Sequence, residues 1–167
     1  MPFKPRLKPD EIVILRFLNT RMEFTAKERQ YYLNLVKGFE GEVMFDLLTE
    51  ELQSECFIIN DLLLEFYNTI FQIDTLIIFQ EALSLFEVKN YEDDFYYQSE
   101  RFYTKSGTEI KSQLLQLERC ESLLRQLLQK LGFNVPIEAN VVFINPEFTL
   151  YQAPLNEPII FPTQLTH

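Results

Sequence analysis

The sequence predicts one α/β or α+β domain built on a mixed β-sheet, and three observations carry that expectation. Two long helix-like stretches open with capping signals, a run of strand-like segments lies between them, and another strand follows the second helix. The resulting order, αβββ(ββ)αβ, sandwiches strands between helices. With 167 residues, 47% of them hydrophobic and 14% aromatic, the chain has enough apolar side chain for one core.

Residues 1–24 read as an arm, with three prolines among the first nine residues and a short amphipathic stretch over 10–21 that has helical character. "TAKE", residues 25–28, fits a capping box and opens a helix to about Leu52, its apolar face drawn from Leu33, Val36, Val43, Leu47 and Leu48. Gly38 and Gly41 fall inside it, where each costs about 1 kcal/mol relative to alanine, so either the helix kinks there or another backbone comes close. Strands are expected over 56–60, 69–79 and 82–90, with a small hairpin of 95–98 and 101–104, antiparallel because the connections are too short for crossovers. "SGTE", residues 106–109, reads as the cap of a second helix to Leu131, stopped by Gly132. On a wheel centred on Leu124, its buried stripe is Leu117, Cys120, Leu127, Leu128 and Leu131. Strands over 140–144 and 158–161 complete residues 25–167 as one domain.

Composition excludes several chemistries. The single histidine is His167, so Ser-His-Asp, Cys-His and zinc-protease arrangements lack their base or ligand. Two isolated cysteines, Cys56 and Cys120, make neither a disulfide framework nor a thiolate zinc site, which points to a reducing, cytoplasmic setting. Four scattered glycines form no phosphate-binding loop. The 12–18 apolar run is interrupted by Arg16 and too short to span a bilayer, so no membrane is expected as a partner. A formal charge of −10 argues against wide, sequence-independent contact with a phosphate backbone. Chemistry here must run on carboxylates and lysine.

Those groups concentrate in "QIDTLIIFQEALSLFEVKN", residues 72–90. Period-two alternation puts Asp74 with Leu76 and Ile78 on one strand face, and Glu87 with Lys89 on one face of the next. A two-residue turn at Gln80 and Glu81 sets Asp74 opposite Glu87; a four-residue turn sets it opposite Lys89. Both registers keep the three charges together, with Cβ separations of about 5–8 Å. In the first, two facing carboxylates need a proton or cation between them, and Mg²⁺ with its preference for oxygen is the natural occupant. In the second, Asp74 and Lys89 form an ordinary cross-strand ion pair, and the residues alone leave both readings open.

"KGFEGE" on the first helix, "QID", "FEVKNY" and "QLLQLERCESLLRQLL", taken in order over residues 37–144, resemble the nuclease-related domain (NERD) family, a branch of the PD-(D/E)xK phosphodiesterase superfamily. The resemblance implies a restriction-endonuclease-like α/β core, with a mixed central β-sheet flanked by α-helices. It also implies a Mg²⁺- or Mn²⁺-dependent nuclease acting on DNA, with Asp74 and Glu87 as metal ligands and Glu42, Lys89 and Gln116 completing the site. Where the family usually has Asn-Pro before the glutamine, this chain has Ser112 and Gln113. On the wheel Gln113 lies about 20° from the centre of the apolar stripe and Gln116 about 80° away, so geometry favours Gln113 while the motif favours Gln116. Gln116 is the choice and Gln113 the reserve.

Lys4, Arg6, Lys8, Lys27, Arg29 and Lys37 are the candidates for a nucleic-acid surface, and Tyr91, Tyr96 and Tyr97 for stacking on bases. Against them stand Glu92, Asp93 and Asp94 directly after the lysine. Two rival readings follow: a catalytically weak nuclease-fold module that binds a protein partner, and the nuclease part of a longer protein, suggested by the lack of a closing element after "PIIFPTQLTH".

Overall fold

In the computed structural model, which describes residues 1–165, hydrogen-bonded ladders divide the strands between two sheets. His167 lies outside the described residues. Helices α1 (Asp10–Asn19) and α2 (Ala26–Glu50) precede strands β1 (Phe57–Phe66), β2 (Thr69–Ile78) and β3 (Leu83–Lys89). Then come β4 (Asp93–Gln98), β5 (Arg101–Thr104), β6 (Glu109–Ile110), helix α3 (Gln113–Lys130), and β7 (Ile137–Phe143), β8 (Phe148–Tyr151) and β9 (Ile159–Ile160). The main sheet runs β1-β2-β3-β7-β9, antiparallel through β3 and parallel beyond it. The smaller runs β6-β5-β4-β8, so the fold is α/β with mixed sheets flanked by helices.

The main sheet has a different cover on each face. On one, Leu114, Leu117, Cys120 and Leu124 of α3 meet Leu83, Leu85, Val141 and Phe143 in the larger core. The small sheet joins that core through Phe102 and Phe148, the latter stacked on Phe143 with ring centroids 3.9 Å apart. On the other face Phe45 of α2 packs on Val88, Val142 and Ile144. Among the described residues, no helix is long and apolar enough to cross a membrane.

The Thr25–Glu28 capping box forms as expected, with the Glu28 carboxylate accepting from the Thr25 N–H at 2.8 Å. The helix behind it continues unbroken through both glycines, and its buried residues are Gly41, Phe45 and Thr49, while Leu33 and Leu47 face solvent. The close approach to Asn90 and Ile144 is at Gly41, and the buried line runs from there through Phe45 to Thr49, with Leu48 of the expected face packed beside it. Strand β1 extends past residue 60 to Phe66, where Tyr67 and Asn68 (φ 46° and 60°) make the two-residue turn of a hairpin. The Ser-x-x-Glu at 106–109 caps no helix: Gly107 at φ 87° turns β5 into β6, and α3 starts later, with Ser112 accepting from the Leu115 N–H. Of the expected α3 stripe, Leu131 is exposed because it lies at the helix end.

Candidate active site

Asp74 and Glu87 meet where the β2–β3 ladder stops. The turn is the two-residue one, closed by Phe79 N–H donating to the Ala82 carbonyl at 2.9 Å, and pairing runs from Ile78↔Leu83 to Thr75↔Phe86. The next step in that register sets Asp74 against Glu87. Alternation slips there, since Ile73 and Leu76 both pack in the α3-side core. The Asp74 carboxylate replaces a ladder acceptor, its Oδ2 taking the Val88 N–H at 2.8 Å.

Glu87 is almost wholly buried, and its Oε1 accepts from Lys89 Nζ at 2.6 Å and from Gln116 Nε2. The lysine therefore pairs along its own strand, and the cross-strand Asp74–Lys89 pair of the four-residue register does not form. Gln113 is the buried glutamine, and it donates to the Tyr91 hydroxyl at 2.7 Å and the Lys111 carbonyl at 2.8 Å instead. Thus Gln116, not Gln113, reaches the acids.

Helix α2 brings Glu42 to the same place because Gly41 allows it. A Cβ at Gly41 would lie 2.5 Å from Asn90 Cβ and 3.2 Å from Ile144 Cγ2, whereas Gly38 has nothing within 4 Å, so only one of the two glycines marks a close approach. Asn90 secures the contact by donating to the Lys37 carbonyl at 2.8 Å. Glu42, Asp74, Glu87, Lys89 and Gln116 all line one cleft of about 1070 Å³, with Lys8, Lys37 and Tyr91 on its other walls.

Burial, then Glu87 and Glu42, push the Asp74 carboxyl up to about 8, although Lys89 and the Val88 N–H pull the other way. Burial also raises Glu42, against the nearby Arg6. For Lys89, burial would lower the pKa, but Glu87 and Asp74 outweigh it and the net shift is upward. Lys89 is therefore a fixed ammonium beside a pair of acids, suited to stabilising negative charge rather than to taking a proton.

Asp74 and Glu87 are the residues able to hold a metal. Each has one oxygen, Oδ1 and Oε2, that accepts no hydrogen bond from the described residues, and both residues line the cleft. Among the described residues no three acidic, cysteine or histidine side chains form a ready-made metal cluster. Two hard oxygens with the remaining positions left to water suit Mg²⁺ or Mn²⁺, which bind through one or two carboxylates and substrate phosphate.

The expected nucleic-acid cations fare differently. Lys4 donates to the Asn60 and Asp61 carbonyls at 2.6 Å each, and Arg6 is buried against Glu42 and Asp46, so neither forms an open surface. Lys37 pairs with Glu92 at 2.6 Å, and of the acids after the lysine Asp94 is paired as well, with Lys105 at 2.6 Å. Tyr91 and Tyr97 pack against the core, and Tyr96 stacks on Tyr103. Sequence reasoning missed the inward role of Arg6; its only trace was Glu42 and Asp46 one helical turn apart, two acids in need of a counter-charge.

A mixed sheet with three acids, a lysine and a glutamine gathered where a central hairpin opens defines an α/β protein with an acid–lysine centre. The sequence profile of the nuclease-related domain matches residues 37–144, most of the chain and the stretch holding all five of these side chains, and the chain belongs to that family. No curated protein matches it. A solved structure described as a protein of unknown function, AF1548, is similar over 77% of this chain at 16% identity, with a TM-score of 0.37. This chain spans 64% of that one's length.

Proposed function

We propose that this protein is a metal-dependent phosphodiesterase that cleaves DNA. The observation carrying this reading is the pair Asp74 and Glu87, set against one another at the mouth of an apolar hairpin, each with one oxygen that accepts no hydrogen bond from the described residues, beside an ammonium held charged by them. A structural ion pair needs one acid per lysine; here the second acid is buried at a cost that a cation would offset.

In this reading Asp74 and Glu87 hold Mg²⁺ or Mn²⁺. Such an ion, when bound, would lower the pKa of its water and stabilise negative charge on the phosphoryl oxygens. Lys89 adds fixed positive charge where negative charge grows during in-line attack. Gln116 holds Glu87 by its hydrogen bond from α3, leaving the other carboxylate oxygen toward the cleft. Glu42, held by Arg6, contributes by position.

Calorimetric titration with Mn²⁺ is expected to report binding to the wild type that is lost in Asp74→Ala and in Glu87→Ala. Cleavage of a panel of single-stranded, duplex and flap DNA should fall about 10²–10³-fold in Lys89→Ala. Equal cleavage by that variant would assign the activity to a contaminant. A second reading, a protein-binding module, is favoured by the exposed apolar residues Ile14, Phe17 and Leu18 of α1, and a folded wild type that binds no Mn²⁺ would support it.

A further inference from the structure

We infer that Arg6 is a positioning residue of the acidic centre: the N-terminal arm delivers the guanidinium that fixes Glu42 of α2 against the backbone of Asp74. The inference rests on the phosphodiesterase reading and adds to it a residue outside the 37–144 stretch that the family profile covers.

The arm is fastened before Arg6 is placed. Lys4 makes a parallel bridge to Ile59, its N–H donating to the Ile58 carbonyl at 3.2 Å and its carbonyl accepting from the Asn60 N–H at 3.0 Å. Pro5 and Leu7 face solvent, while the Arg6 side chain between them, 3% exposed, turns inward. Its Nη1 donates to Glu42 Oε2 at 2.6 Å and its Nε to Asp46 Oδ2 at 2.9 Å. Nη2 is shared among Asp46 Oδ1 (3.1 Å), the Asp74 carbonyl (2.7 Å) and Thr75 Oγ1 (3.3 Å). One planar group thus ties three segments far apart in sequence.

Burying a guanidinium is costly unless every donor is used, and an arm could be anchored more simply by hydrocarbon. What hydrocarbon cannot do is let two α2 carboxylates sit beside Asp74. Glu42 already raises the Asp74 carboxyl, and without Arg6 it would be an unbalanced neighbour free to turn into the cleft. The bond to the Asp74 carbonyl also fixes the residue whose side chain bridges to Val88. A lysine keeps the charge but lacks the fork, so Arg6→Lys separates geometry from charge.

The test compares wild type, Arg6→Lys, Glu42→Gln and the double variant, all well below their melting temperatures, for Mn²⁺ affinity by calorimetry and for kcat and KM on the DNA panel. Folded Arg6→Lys is expected to lose about 10–100-fold in kcat or Mn²⁺ affinity, the size of effect seen when the partner of a site residue is removed. Glu42→Gln should lose a similar factor, and adding Arg6→Lys to it should change little further, because the two act as a unit. Arg6→Lys with wild-type kcat, KM and Mn²⁺ affinity would overturn the inference, as would full additivity with Glu42→Gln. If Arg6→Lys does not fold, Asp46→Asn takes its place, since it weakens the seat of the Arg6 guanidinium and leaves Glu42 intact: wild-type kcat, KM and Mn²⁺ affinity there overturn the inference, and a loss upholds it. A wild type silent toward both Mn²⁺ and DNA sinks the phosphodiesterase reading itself, a result distinct from an active wild type with an indifferent Arg6→Lys.

Discussion

The two ends of the β2–β3 hairpin are built from the same strands and do opposite things. Near its turn, Leu76 pairs with Leu85 and Ile78 with Leu83, the ladder is complete, and α3 covers the leucines. Two residues beyond the Leu76–Leu85 pair, the ladder has ended, an acid fills an acceptor position, and the opposing side chain is a buried acid. One end contributes to folding. The other costs folding free energy, and that contrast, more than any single distance, separates a site from a salt-bridged strand pair.

Truncation at the turn end should have the largest effect on stability. Leu85 has no exposed surface and lies in the larger core, so Leu85→Ala is expected to cost about 2–5 kcal/mol in chemical denaturation while leaving Mn²⁺ affinity of the folded protein unchanged. A stability loss below 1 kcal/mol would mean that this end is not the anchor.

At the open end, neutralisation should stabilise. The Asp74 carboxyl has a folded pKa of about 8, against roughly 3.9 when unfolded, so between those values the folded state carries the extra proton. Stability of the protein without added cation therefore falls as pH rises from about 4 to about 8, by at most about 1.4 kcal/mol per pH unit. Asp74→Asn keeps an acceptor for the Val88 N–H and removes the slope, so its advantage over wild type grows with pH. Mn²⁺ should replace the proton, raising the wild-type melting temperature more at pH 8 than at pH 5. A flat wild-type profile would show that Asp74 is not strained, and the contrast between the two ends would collapse.

How far these features were legible depended on how local their causes are. The hairpin and its three charges could be read because a strand's period is two and the turn allowed only two registers. The slip of alternation at Asp74 was not legible, nor was the ladder's end, since both depend on the third strand and on Asp61, a non-glycine residue held at φ 52° in β1. Residues 106–109 misled because Ser-x-x-Glu serves a glycine turn as well as a helix cap. The helical wheel ranked Gln113 and Gln116 correctly by depth, Gln113 being the buried one, but depth does not say which neighbour waits at the end of the side chain. Arg6 was least legible: its partners lie 36, 40 and 68 residues away, and its immediate neighbours, Pro5 and Leu7, both face solvent.

The smallest expected effect lies at the rim, where Lys37 and Glu92 pair at 2.6 Å with about a third and a half of their side chains exposed. Such a pair is worth no more than about 1 kcal/mol, so Glu92→Gln should leave stability nearly unchanged. Its consequence for substrate is more informative. Both residues line the cleft, and the acid now cancels the cation that a phosphate would meet. If DNA enters past this rim, Glu92→Gln releases Lys37 and lowers KM a few-fold at low ionic strength, with the gain fading as salt shortens the Debye length to about 3 Å near 1 M. A KM unmoved at every salt concentration would direct the substrate past the Lys8 wall instead, since Lys8, on the arm, also lines the cleft.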